Sequence, residues 1–252
     1  MFPRTRLGKC LLATVAFLTL LQLAVVSAQG QTQITRCGTF ITTPGQYVLA
    51  NDLTNCSGDG IIIGGNAKDV VVSLANHRIS GSPSANVRTA GIKIQSGASA
   101  LISGPGVISN YKAGFGVLLA SGSVDISGVT CTGNDVGFYF SGGVAVAHGN
   151  IANNNVDGFY ASRGELTNNL ATGNSQDGFV AYTPDRSQLL NNTAAFNGRY
   201  GIVALQNSGN KDIVSNTALD NGDYDLFEDN SGQCKSAWVD NVFGTASPSC
   251  IH

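Results

Sequence analysis

From about residue 57 onward the chain repeats a short apolar run opened by glycine. The copies are Gly60-Ile61-Ile62-Ile63, Gly91-Ile92-Lys93-Ile94, Gly116-Val117-Leu118-Leu119, Gly137-Phe138-Tyr139-Phe140, Gly158-Phe159-Tyr160-Ala161, Gly178-Phe179-Val180-Ala181 and Gly201-Ile202-Val203-Ala204, with a degenerate eighth at Asp225-Leu226-Phe227-Glu228. Successive aligned positions lie 31, 25, 21, 21, 20, 23 and 24 residues apart. Polar residues keep step. Asn154, Asn174, Asn197 and Asn221 precede the aligned position by four residues, Asn169, Asn192 and Asn216 by nine, and Ala171, Ala194 and Ala218 by seven.

A unit of about 21 residues is shorter than a helical hairpin repeat, and it lacks the fixed leucine spacing of a leucine-rich repeat. Its runs are short, β-branched or aromatic, and bounded by Gly and Asn, which reads as strands separated by turns. The architecture these features predict is an all-β parallel solenoid of about eight coils, stacked about 4.8 Å apart. In each run the first and third residues after glycine (Phe138, Phe159, Phe179, Ile202 and Phe140, Ala161, Ala181, Ala204) then face the interior, and the middle residue faces out. Asn at a repeated turn tolerates left-handed backbone and can bond its copy in the next coil.

Composition agrees. Only 12% of the 252 residues are charged, while Gly (32) and Asn (23) are abundant. A charged side chain repeated in a stack would repel its own copies. Arg4, Arg6 and Lys9 precede an apolar run from Cys10 to Val26, and Val26-Ser27-Ala28 offers the small residues of a cleavage site. This predicts a signal peptide over residues 1–28; the competing reading of the same run is an uncleaved membrane anchor. After cleavage, 11 Lys and Arg face 16 Asp and Glu, a net charge of about −5. Such a surface gives no support for nucleic-acid partners or for stable membrane insertion of the mature chain. In an oxidising compartment the economical pairing of cysteines is Cys37 with Cys56 and Cys234 with Cys250, each closing a short loop worth about 3 kcal/mol. Cys131 reads as a buried small apolar side chain.

The segment Asn192-Thr193-Ala194-Ala195-Phe196-Asn197-Gly198-Arg199-Tyr200-Gly201-Ile202-Val203-Ala204 resembles the repeat of right-handed parallel β-helix proteins of the pectate-lyase-like superfamily. The entry stretch Cys37-Gly38-Thr39-Phe40-Ile41 and the exit stretch Trp238-Val239-Asp240-Asn241-Val242-Phe243-Gly244 resemble those of secreted bacterial members, so the resemblance spans roughly residues 37 to 250. It implies a right-handed parallel β-helix divided into a cap over 29–56, coils over 57–224, and a final coil and cap over 225–252.

For function, the resemblance implies an exported carbohydrate-interacting protein that binds or cleaves an acidic polysaccharide. The alternative is a non-catalytic structural, adhesion or surface-binding solenoid. The basic residues a lyase would need (Lys93, Lys112, Arg163, Arg186, Arg199, Lys211 and His148) fall in no single column, and the hydrolase and epimerase signatures of the superfamily are missing. Asp157 and Asp177 each precede an aligned glycine and would stack about 5 Å apart. That spacing suits a retaining glycosidase pair, but equally a repeated Asp turn. No cofactor is implied. Ca²⁺ is the one metal the acidic residues suggest, at Asp157 and Asp177 or at the exit group Asp220, Asp223, Asp225, Glu228 and Asp229. The outward column offers Tyr139 and Tyr160, with Tyr182 on the same side and Arg163 and Arg186 in the following turns, as a wall for stacking a glycan.

Overall fold

Every strand pair among the described residues is parallel, and the strands form three faces. The structure is a computed structural model that describes residues 30–83, 88–95, 97–112, 114–182, 187–205, 211–230 and 233–252. The expected signal peptide lies outside the described residues. Among the described residues there is no helix. Thr32–His252 form one compact unit.

The first face carries ten strands, from Thr39–Ile41 through Ile61–Ile63, Ala90–Ile94, Phe115–Leu119, Val136–Phe140, Asp157–Ala161, Phe179–Ala181, Tyr200–Ala204 and Tyr224–Glu228 to Ala246–Ser247. Its register is that of the glycine alignment: Ile92 pairs Val117, Val117 pairs Phe138, Phe138 pairs Phe159, Phe159 pairs Phe179, Phe179 pairs Ile202 and Ile202 pairs Leu226. The second face runs from Thr32–Ile34 and Gly45–Leu49 to Ala237–Val239, and the third from Leu53–Cys56 to Val242–Phe243. In two coils a single long strand, Ser99–Ser109 or Gly122–Thr132, turns the corner between second and third faces. The architecture is thus a parallel β-helix. Strand pairing runs on through residues 33–56 and 225–250, beyond the eight aligned copies, and the disulfides Cys37–Cys56 and Cys234–Cys250 form near the two ends.

The interior is filled by files of like side chains. Phe138, Phe159 and Phe179 stack with ring centroids 4.6 and 4.8 Å apart and planes within 7°. The alanines Ala152, Ala171, Ala194 and Ala218 continue a file that begins with Ile79, Ile108 and Cys131. Cys131 is fully buried, and burial raises its thiol pKa well above the ordinary range.

Two ladders of buried Asn run along the corners. One contains Asn134, Asn155, Asn174, Asn197 and Asn221; the other Asn150, Asn169, Asn192, Asn216 and Asn241. After the first Asn of each ladder, whose Oδ1 accepts the N–H of Tyr111 or Val129, each Oδ1 accepts both the backbone N–H and the Nδ2 of the Asn one coil earlier, at 2.9–3.2 Å in the first ladder and 2.8–3.0 Å in the second. The other amide hydrogen goes to a carbonyl of the preceding coil, as from Asn174 to Ala152 and from Asn192 to Leu166. One detail corrects the sequence reading: the ladder residue in its coil is Asn155, not Asn154. Asn154 is exposed and takes the left-handed turn position just before it, with φ of 54°. The third face of that coil sits one residue closer to its glycine, and the extra Asn hid the shift.

The ladder also explains the glycine column. A Cβ at Gly137, Gly158, Gly178 or Gly201 would stand 2.5–2.6 Å from the aligned carbonyl of the next coil and 2.6–3.1 Å from a ladder Asn Nδ2. These glycines are required by close approach and not by a positive φ.

Each ladder Asn follows a left-handed residue, which in the first ladder is Gly133, Asn154, Gly173, Phe196 and Asp220. Phe196 is out of place there. A bulky side chain at φ 56° carries the left-handed penalty, and this one is 66% exposed, so packing returns little. Phe196→Gly should therefore stabilise the protein by about 1 kcal/mol, raising the midpoint of thermal unfolding by roughly 2–4 °C; a lowered midpoint in calorimetry would show that the ring contributes to packing.

Candidate functional site

The outward side of the first face carries the residues expected to act. Tyr139 and Tyr160 pair in register, with ring centroids 5.0 Å apart and planes tilted by 33°. Tyr182 approaches Tyr160 at 5.4 Å and 42°, and Phe115, which the sequence reading missed, stacks on the other side of Tyr139 at 4.7 Å. The result is an aromatic row over four coils. Phe115 stands immediately before Gly116 and reaches across the strand to Tyr139. Reading the column before each glycine (Phe115, Val136, Asp157, Asp177, Tyr200, Tyr224) would have found it.

Rings stacked at coil spacing lie across the helix axis. Much of each ring face meets its neighbour, and the edges and hydroxyls meet solvent. Tyr182, at 45% exposed, is the most open ring of the row. Burial, with the negative charge that Tyr139, Tyr182 and Asp157 would add, pushes the Tyr160 hydroxyl pKa up to about 12, which keeps it a proton donor at neutral pH.

Carboxylates flank the row. Asp157 and Asp177 occupy adjacent coils in the column before the glycines, as expected, and each is engaged by neighbouring groups. Asp157 Oδ1 accepts the backbone N–H of Asp177 at 3.1 Å. Asp177 is buried and grips Arg199 with both oxygens, Nε to Oδ1 at 2.7 Å and Nη2 to Oδ2, while its Oδ1 also accepts the Tyr200 N–H. Burial raises the Asp157 carboxyl pKa, an effect partly offset by the Asp177 N–H, and burial raises that of Asp135 as well. The Asp177 hydrogen bond raises the pKa of Arg199.

Arg163 lies exposed at the turn into the second face, lining a shallow groove of about 350 Å³ with Ser141, Val144 and Ser162. Arg186 lies outside the described residues. The remaining basic groups are dispersed: Lys93 pairs Asp59 at 3.3 Å, His148 pairs Asp125 at 3.5 Å, Lys112 is exposed, and Lys211 is buried, its pKa lowered to about 8 by burial against the opposing charge of Glu228. The exit acids divide likewise. Glu228 is buried and accepts from the Lys235 and Ser236 N–H groups and from Trp238 Nε1. Asp225 terminates the first ladder by accepting both donors of Asn221, and its other oxygen accepts from Gly244 and Thr245. Among the described residues no three His, Cys, Asp or Glu side chains come together as a metal site.

These features define a parallel β-helix repeat protein with an aromatic outer face. A family model described as NosD, periplasmic copper-binding protein, matches residues 75–246, and the chain belongs to that family. The family's periplasmic location agrees with the secreted or periplasmic one expected from the sequence. No curated protein matches the chain.

Asp225 gives a testable pH dependence. Burial raises its pKa, but the bonds from Asn221, Thr245 and Gly244 outweigh burial and hold it below the ordinary carboxylate range. Its contribution to stability is therefore complete above the unfolded value of about 3.9 and is lost as the pH falls through the lower folded value. Asp225→Asn should lower stability at pH 7 and flatten this part of the acid limb; denaturant midpoints measured from pH 2 to 7 for both proteins check it.

Proposed function

We propose that the chain is a non-catalytic periplasmic β-helix that binds a neutral, hydroxyl-rich polysaccharide along the row Phe115, Tyr139, Tyr160 and Tyr182. The observation that carries this reading is the row itself, a file of aromatic rings on one outer face of a rigid scaffold. Tyrosine edges supply hydroxyl donors, the open Tyr182 ring supplies apolar contact for sugar C–H groups, and the flanking carboxylates Asp135 and Asp157 accept from sugar hydroxyls.

An acidic polysaccharide is the poorer ligand for this face. Asp135 and Asp157 would repel uronates, and Arg199 is already neutralised by Asp177. Lyase activity also lacks support. Among the described residues, the candidate bases Lys93, His148 and Arg199 are paired with carboxylates and Lys211 is buried.

Copper, which the family's description names, does not fit the described side chains of this chain. Copper prefers His, Cys and Met donors. His77 pairs Asp52, His148 pairs Asp125, and His252 lies at the chain end against the Cys250 carbonyl. Of the six cysteines four form disulfides and Cys131 is buried, while Cys10 and the single methionine, Met1, lie outside the described residues. Nor, among the described residues, do three carboxylates come together to form the oxygen cage that Ca²⁺ requires.

Binding to immobilised neutral glycans, with uronans as a parallel arm, tests the proposal. Tyr160→Ala should weaken binding about tenfold, or about 1.4 kcal/mol, and Tyr160→Phe less than that; binding confined to the uronans, or indifferent to both variants, would refute the reading. Purified protein loaded with Cu(I) or Cu(II) and desalted should retain no stoichiometric metal by elemental analysis, and His148→Ala should leave that result unchanged.

A further inference from the structure

A second aromatic cluster lies on the same outer face, toward the C-terminal end. Tyr200 and Tyr224 pair in register, and Tyr200 stacks on Phe227 with centroids 4.5 Å apart and planes within 12°. Tyr224 lies 6.4 Å from Tyr200 and 6.0 Å from Phe227, with all three planes aligned within 20°. Covering the sheet needs no such exposure, yet Tyr224 is 38% exposed beside its partners.

Arg199 completes the cluster. Its Cζ stands 5.0 Å from the Tyr200 ring centroid, and Asp177 fixes the guanidinium through Nε and Nη2. That grip leaves the Nη1 donors uncommitted to Asp177, on a side chain that is 44% exposed. A neutralised, pre-oriented guanidinium beside an exposed ring offers hydroxyl recognition without the field that would select an anion.

The two clusters share one outward column, Tyr139, Tyr160, Val180, Val203 and Phe227, in which the valines are buried and the aromatics lie to either side. From Tyr160 to Phe227 is three strand spacings, about 14 Å. We infer that Arg199, Tyr200, Tyr224 and Phe227 form a second sugar subsite, and that one polysaccharide chain lies along the helix axis and engages both clusters. This rests on the reading of the face as a glycan-binding surface. Two weak subsites joined by one ligand gain affinity through effective concentration, so the arrangement selects long chains over short ones.

The experiment measures affinity of the full mature protein for a size ladder of neutral β-linked gluco-oligosaccharides by calorimetry. Long oligomers should bind at least ~10-fold more tightly than short ones. Tyr224→Ala and the packing-conserving Tyr224→Leu should reduce long oligomers to the affinity of short ones while short oligomers still bind at the first row, whereas Tyr160→Ala should weaken the binding of both. Thermal midpoints near that of the unaltered protein exclude unfolding as the cause. A smooth or absent length dependence, or a long-chain advantage that survives both Tyr224 variants, overturns the second subsite alone. If the unaltered protein binds no oligomer of any length in the series, the glycan reading fails and the subsite falls with it.

Discussion

The close approach of successive coils at the Asn corners governs this molecule. At that distance each ladder amide can saturate itself: its oxygen takes two donors from the coil before it and its nitrogen gives two hydrogens away. A buried amide left half-bonded would cost about 1–3 kcal/mol, so the ladder is tolerable only if it is continuous. Continuity in turn demands that the facing strand carry no Cβ, which is why glycine recurs beside the Asn and Ala files. Three residue types are thus bound into one steric and hydrogen-bonding agreement. The ladder runs one way along the axis, so its last amides need an acceptor beyond them, and the Asp225 carboxylate supplies it in the first ladder.

The same stacking rule shapes the surface. Side chains meet their own copies every coil, so like charges are costly and like rings are favourable. Inside, this gives the phenylalanine stack; outside, it gives the tyrosine row. The row is in part simply what a parallel solenoid does with outward tyrosines. Its functional content lies in what the stacking leaves open: hydroxyl edges, the exposed Tyr182 and Tyr224, and an arginine held in place by a buried aspartate. Charged groups elsewhere are largely absorbed by partners, as with Asp52 and His77 or Asp59 and Lys93. Membership of the NosD family therefore secures fold and location, while the donor set of this chain directs attention to its aromatic face.

Much of the fold was legible because the repeat wrote it out several times. A glycine column, two polar columns and an apolar column in phase fix the register without long-range information, and the inward assignments of Phe138, Phe159, Phe179 and Ile202 follow from strand alternation alone. The misplacement of Asn154 marks the limit of that method. A turn can gain or lose a residue without disturbing either neighbouring strand, and two adjacent asparagines made the count ambiguous. The candidate site was legible in its tyrosines, which share a column, and illegible in Phe115 and Arg163. Phe115 joins the row from a different column, and Arg163 leaves the face at a turn whose direction no periodicity reports.

By itself, the sequence determined a parallel solenoid, its glycine register, its interior files and the pairing of its terminal cysteines. All of these depend on interactions between copies of one unit, and so appear as periodicity. Tertiary structure alone decided that Asp157 accepts from the Asp177 backbone while Asp177 holds Arg199, that the tyrosine rings spend their faces on one another, and that Tyr200, Tyr224 and Phe227 gather beside Arg199. Those arrangements depend on rotamers and on contacts between columns. A repeat specifies where a side chain is attached, and packing decides where it points.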